Sequence, residues 1–116
     1  MRFMIMVFGD EAGLRRRIPD RVEHEVAFLA ELEDELAQRG EIVTTEVLEW
    51  GSAATLVRRG GDRRRGNFNT VDTPLVRFWV VKVPDESRAL EIAARVAHEL
   101  REPVEVRQCM EASHTP

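Results

Sequence analysis

Cysteine occurs once in these 116 residues, at Cys109, tyrosine does not occur, and histidine occurs three times. A lone cysteine excludes an intrachain disulfide framework and any zinc centre built on several thiolates. The longest apolar run, Phe3-Met4-Ile5-Met6-Val7-Phe8, is far short of the roughly 20 residues that a membrane-spanning helix needs. The charged stretch from Asp10 to Arg17 follows it with no small-residue cleavage site, so no secretion signal is expected and the cytoplasm is the expected compartment. A net charge of −4 provides no global attraction to nucleic acid or to an anionic membrane. No phosphate-binding glycine loop, dinucleotide fingerprint, serine nucleophile elbow or zinc spacing is present, so neither cofactor nor metal is expected. What is there is ordinary globular material: 43% hydrophobic and 33% charged residues, without internal linker or repeat. This fits one domain spanning 1–116.

Hydrophobic patterning divides the chain into elements. Phe3–Phe8 is apolar at every position and stops at Gly9-Asp10, which predicts a strand covered on both faces. A polar, arginine-rich loop follows. Asp20 with Glu23 forms a capping-box pattern that opens a helix. Val22, Val26, Leu29, Leu32 and Leu36 make its apolar stripe, Glu25, Glu31, Asp34, Glu35 and Arg39 take other faces, and Gly40 stops it. Ile42–Trp50 reads as a half-exposed strand. Ala54–Arg58 is expected as a return strand, Arg59–Gly66 as a hairpin tip, and Asn67–Thr73 as an irregular strand pairing back. Leu75–Val83 is the second strongly apolar strand. Leu75, Arg77, Trp79, Val81 and Val83 fall on one face, and Val76, Phe78, Val80 and Lys82 on the other. Asp85 caps a second helix, whose stripe is Leu90, Ala93, Ala97 and Leu100, widened by Ile92 and Val96. It ends at Pro103. Val104–Met110 closes the chain as a half-exposed strand.

With the hairpin excursion between the second and third core strands set aside, the order is βαββαβ. Right-handed crossovers place both helices on one side of an antiparallel sheet, the ferredoxin-like α+β arrangement. Its first and third strands are central, matching the two most apolar segments. The uncovered face then carries alternate residues of Phe3–Phe8 and of Leu75–Val83, Trp79 being expected among them, as a contiguous apolar surface larger than monomers usually expose. Burying even about 600 Å² of it at ~25 cal/mol per Å² yields roughly 15 kcal/mol, against association costs of about 4–15 kcal/mol. A homodimer through the sheet face, a dimeric α/β barrel, is therefore expected. The competing arrangement folds the 54–73 excursion back over that face.

The opening Arg2-Phe-Met-Ile-Met-Val-Phe-Gly-Asp-Glu-Ala12, the segments Leu32–Gly40 and Trp79–Ala94, and the closing Pro103-Val-Glu-Val-Arg-Gln-Cys-Met-Glu111 resemble the YCII-related proteins, in their DGPF-domain branch. The resemblance implies a ferredoxin-like fold, a homodimeric α/β barrel and a small-molecule-binding domain of unknown ligand. Its signature is degenerate here. Val71-Asp72-Thr73-Pro74-Leu75-Val76 keeps the aspartate and the proline and lacks the glycine and the phenylalanine. The broader family also implies a second function, a cofactor-independent enzyme with a His–Asp acid–base pair acting on a small hydrophobic or anionic substrate, for which His24 is the one histidine in the right helix.

Candidate site residues follow, each with a structural alternative. His24 suits a general base, or is a surface residue near a helix start. Asp10 and Asp72 suit acid–base work beside a strand end, or are turn formers. Arg15, Arg58 and Arg77 suit a carboxylate or phosphate, or are solvated. Trp79 is a ligand platform or a core anchor. With no tyrosine and no recognised motif, nucleic acid is not expected as a partner.

Overall fold

The structure, a computed structural model, describes residues 1–68 and 73–111. It is an α+β fold. The strands β1 (Arg2–Phe8), β2 (Ile42–Val47), β5 (Leu75–Lys82) and β6 (Val104–Gln108) form one sheet in the order β2-β5-β1-β6, with every neighbouring pair antiparallel. The two apolar segments are central and the two charged ones are edges, as their patterning predicts and as suits a ferredoxin-like arrangement. Helices α2 (Pro19–Gln38) and α3 (Glu86–Leu100) cover one side. Phe3, Ile5 and Val7 of β1 join Trp79, Val81 and Val83 beneath Leu32, Leu36, Ile92 and Val96. That core is the main favourable contribution to stability, at about 1.5–3 kcal/mol per large apolar side chain buried.

Several local expectations are corrected. Trp79 belongs to the covered face, 1% exposed, so it adds nothing to the open one. The segment after β1 contains a short helix, α1 (Glu11–Arg15), in place of the expected loop, because Asp10 accepts the Gly13 N–H at 2.9 Å and caps it. Helix α2 begins at Pro19 with Ile18 as its cap, two residues before the expected cap Asp20. Proline is pre-set for the first helical turn and lacks only an N–H that would have no helical partner. In α2 the stripe includes Glu25, which is buried, whereas Val26 is 61% exposed. In α3 Ile92, Ala93, Val96 and Leu100 are buried as expected, but at the start of the stripe Ala89 is buried and Leu90 exposed. Asp85 caps α3 as expected, accepting from the Arg88 N–H, and Gly40 ends α2 at φ +67.

A register shift between Val7 and Phe8 pairs Val7 with Arg77 but Phe8 with Leu75. Such a bulge moves one residue to the opposite face. Val76 therefore packs on the core, and Leu75 joins Phe8, the reverse of simple alternation. In the 54–73 excursion the expected return strand is present, and the expected irregular strand Asn67–Thr73 falls largely outside the described residues. β3 (Thr55–Val57) pairs with β4 (Arg63–Arg65), placing a strand in the expected hairpin tip, and the two form a separate sheet. The radius of gyration, 15.7 Å, exceeds the value of about 13 Å typical of a compact chain of this length. Met4, Met6, Phe78 and Val80, on the side away from the helices, remain partly exposed.

α2, β2 and α3 are tied at one end by a buried ion pair. Arg88 donates through Nε and Nη2 to the two Glu41 oxygens at 2.9 and 2.8 Å, with Arg39 also on Glu41 at 3.1 Å. The Arg88 hydrogen bond holds the Glu41 carboxyl below its ordinary 4.5, against the opposing effect of burial. Removing one partner of such a pair leaves an uncompensated buried charge, at a cost of about 3–5 kcal/mol. Arg88→Met is expected to lower the unfolding free energy by about that amount in urea titrations at pH 7. A depressed carboxyl stabilises the fold fully above its unfolded pKa and loses that contribution as pH falls below about 4.5. The gap between wild type and variant is therefore expected to shrink in the same titration at pH 3.5; a gap that stays constant would contradict the pairing.

Candidate functional site

At the end of the sheet where β1 and β2 finish, a cleft of about 480 Å³ opens between the sheet and α2. Its floor is Val7 and Val76. One wall is Val22, Val26 and Leu29 of α2, a second is Val47–Trp50, and Leu14 and Leu100 narrow it. The polar groups reaching it include Arg17, Glu25, Arg77 and Glu102. A mainly apolar concavity with a few converging polar groups is the usual form of a small-molecule site.

Each polar group arrives by a different local device. Arg77 stands on the helix side of β5, opposite Val7 on one neighbour and Val47 on the other. Its guanidinium lies 4.8 Å from the centre of the Trp79 ring. Glu33 of α2 accepts from Trp79 Nε1 at 3.0 Å and from Thr45 at 3.3 Å, but lies 3.6 Å from Arg77 Nη2, beyond a good hydrogen bond. The Arg77 side chain is 16% exposed, and its Nε is buried without a hydrogen-bond partner among the described residues. Burial pushes the Arg77 pKa down, and Glu33 opposes that shift. A cation lining an apolar cleft thus has donors to spare.

Glu25 is the reverse, a buried carboxylate fully engaged. Arg17 donates to one oxygen and Arg21 to the other, the latter at 3.0 Å. Arg21 also donates to the Glu99 carbonyl of α3. Glu102 follows Arg101, whose left-handed φ of 54 ends α3 and turns the chain toward the cleft. Burial pushes the Glu102 carboxyl up, the Glu25 and Asp10 charges add to this, and Arg17 opposes it. Gly9 shapes the rim. A side chain there would come within 2.7 Å of Leu14 Cδ1 and 3.5 Å of Val76, driving Leu14 toward the space it borders.

The residues singled out by sequence are dispersed. His24 is 60% exposed, paired with Glu99 at 2.9 Å across the α2–α3 seam, and does not line the cleft. That hydrogen bond is the main cause holding the Glu99 carboxyl below its usual range. Asp10 caps α1 and reaches the cleft only through its field on Glu102. Asp72 lies outside the described residues. Arg15 pairs with Glu11 at 3.0 Å and stacks 4.8 Å from the centre of Trp50, itself a cleft residue. Arg58 is on the hairpin arm, 3.9 Å from Asp62. Trp79 is a core anchor. Among the described candidates Arg77 reaches the cleft directly, as does Arg17 of the Arg15-Arg16-Arg17 basic patch that the sequence offers for an anionic ligand, whereas the sequence pattern does not single out Glu25 or Glu102. A signal for Glu25 is present in it: Glu25 stands four before Leu29 and seven before Leu32, inside the helical stripe.

Among the described residues no three His, Cys, Asp or Glu side chains gather closely enough to hold a metal ion, and no helix is long and apolar enough to cross a membrane. The fold and cleft together define an α+β protein with an apolar, charge-lined concavity. No model of a known protein family matches the chain, and no curated protein matches it in sequence.

A carboxyl whose folded pKa is raised destabilises the fold as pH climbs above its unfolded value near 4.5, because ionising it costs more in the folded state. Glu102→Gln is therefore expected to raise the melting temperature at pH 7 and to leave it unchanged at pH 4. Scanning calorimetry at both pH values checks this.

Proposed function

We propose that this protein is a homodimeric, ferredoxin-like small-molecule-binding domain of YCII-related type, and that the cleft beside α2 takes a small, largely apolar ligand with an anionic acceptor group. The observation that carries the reading is Arg77: a mostly buried guanidinium, lining apolar walls, with an Nε that meets no acceptor among the described residues and a carboxylate at 3.6 Å. Buried donors are normally satisfied, and a planar guanidinium matches a carboxylate in forked geometry. A His24–Asp acid–base pair gains no support from the geometry, since His24 is paired with Glu99 away from the cleft.

Hexanoate and phenylacetate are suitable probes, each an apolar body with one carboxylate. Calorimetric titration at pH 6 is expected to show one site per chain. Arg77→Met, by removing a hydrogen bond to a charged group worth about 1.5–3 kcal/mol, is expected to weaken it by about 10- to 150-fold. Undiminished binding by a folded Arg77→Met variant would remove the reading's main support.

Dimerisation is supported by the sheet face away from the helices. Met4, Met6, Phe8, Phe78 and Val80 remain partly exposed there, and the β3–β4 arm forms a sheet of its own. Pairing sheet to sheet about a twofold axis covers this face and leaves the cleft, on the helix side, open. Light scattering coupled to size exclusion is expected to yield twice the chain mass of 13.3 kDa. Met6→Glu combined with Phe78→Glu is expected to yield the monomer. A wild-type monomer at micromolar concentration would overturn this assembly.

A further inference from the structure

Residues 54–68 hold five arginines and one aspartate, a net +4; the whole chain is −4, so the remainder carries −8. The positive charge is gathered on the β3–β4 arm, and little of it is used there. Arg64 and Arg65 donate to the Asn67 and Ala53 carbonyls at 3.1 and 3.0 Å. Arg58 lies 3.9 Å from Asp62. Arg59 and Arg63 have no hydrogen bond or ion pair among the described residues. The arm also has little apolar support from its own chain. No residue from 52 to 68 is buried, each strand is three residues long, and the two form a sheet separate from the main one. Val57 and Phe68 are 60% and 83% exposed. A two-stranded ribbon of this kind is marginal in water unless something packs on it.

The open side of the sheet supplies the complementary charge. Leu56 and Phe68 of the arm share a groove of about 590 Å³ with Phe8 and Leu75, so the arm joins the body on that side. Residues paired directly across antiparallel strands share a face. Glu46, Phe78, Met6 and Glu105 therefore form one row across the open face, and Thr44, Val80, Met4 and Arg107 form the next. The apolar centre is thus bounded by a carboxylate on each edge strand. Glu105 is paired with Arg107. Glu46 is exposed, with no hydrogen bond or ion pair among the described residues.

We propose that the β3–β4 arm is a clasp for a second copy of this chain. In the sheet-to-sheet dimer each arm lies along the rim of the other protomer's open face, where Arg59 and Arg63 pair with the partner subunit's Glu46 and where Val57 and Phe68 gain packing. The clasp rests on the sheet-to-sheet dimer proposed above and adds to it the charged contact that fixes one copy's register on the other. Twofold symmetry makes the contact twice. A second copy suits the arm better than nucleic acid does: a charge of −8 elsewhere on the chain attracts the arm of another copy and repels a polyanion. Complementary charges at a rim also govern orientation and partner choice, whereas the apolar centre alone would tolerate sliding.

The test is sedimentation of the fluorescently labelled full chain, from nanomolar to micromolar concentration, in low and in high sodium chloride. The wild-type dimer is expected to weaken by about tenfold or more on going from low to high salt, as screened ion pairs do. Arg59→Glu combined with Arg63→Glu is expected to weaken it by about tenfold or more at low salt. Both side chains are exposed and bonded to nothing else described, so the variant is expected to fold. Adding Glu46→Arg to that chain is expected to recover most of the lost affinity, which a merely misfolded arm would not permit. A double variant as tightly dimeric as the wild type would overturn the clasp and leave the sheet-face dimer standing. Weakening that Glu46→Arg does not relieve would remove Glu46 as the acceptor and overturn the pairing. A wild type that is monomeric at every concentration and salt would sink both the clasp and the dimer. Capture of a DNA duplex by the wild type, lost in the double variant while the dimer is unchanged, would assign the arm to nucleic acid instead.

Discussion

Trp79 lies at the centre of the sheet, and burying an indole satisfies the hydrophobic demand of the core only if its N–H finds an acceptor. Glu33 supplies it at 3.0 Å. The bond fixes α2 over β5 at one height, and much else follows from that registration. Leu32 and Leu36 join Ile5 and Val81 in the same buried core. It also places the Glu33 carboxylate close enough to Arg77 to compensate part of its charge, yet too far to satisfy its donors. The incomplete neutralisation of Arg77, on which its proposed binding role rests, is thus a by-product of how the tryptophan is held.

Glu33 is the middle member of a series. Glu25, Glu33 and Glu41 are spaced by eight residues, and each meets donors from a different part of the chain. Glu25 takes Arg17 and Arg21, Glu33 takes Trp79 and Thr45, and Glu41 takes Arg88 and Arg39. Glu25 and Glu33 lie on α2 a little over two helical turns apart and so stay near one side of it, while Glu41 lies beyond its end, past the left-handed Gly40. Helix α2 is thereby pinned to the loop before it at the cleft and to the sheet at its middle, and the turn that follows it is tied to α3. An apolar stripe alone would allow sliding or rotation by a residue at modest cost, whereas a displaced buried carboxylate loses its donors.

Those same glutamates mark the limit of what the residues disclose before folding. The central strands are legible because long apolar stretches, unbroken in Phe3–Phe8 and interrupted only by Arg77 and Lys82 in Leu75–Val83, would be costly to expose on either face of a strand. Gly40 and Asp85 mark helix boundaries through local chemistry that needs no tertiary partner. Glu25 is not legible as a core residue. Its burial depends on Arg17 and Arg21 arriving alongside it, and a pattern that scores charge as solvent-facing reads Val26 in its place. The bulge at Val76 is hidden for a related reason. Strict alternation is a property of regular pairing, and nothing between Pro74 and Arg77 announces that one residue is left over. Glu102 escapes because its place in the cleft depends on the left-handed turn at Arg101 and on α2 lying alongside.

One strand serves both faces of the sheet. Along β5, Arg77 and Trp79 point toward α2 while Phe78 and Val80 point to the open side. A proposed ligand site and a proposed dimer contact therefore alternate residue by residue on a single backbone. A bulge at its start already departs from regular pairing. Small displacements of a strand are shared by its two faces, because successive side chains are fixed to opposite sides of the same peptide units. Filling the cleft against Arg77 would restrict β5 near Val76 and Leu75, the same stretch that borders Phe8 and the base of the arm. The physical route between the cleft and the open face is thus short and made of backbone, with no chain of side chains required to carry it.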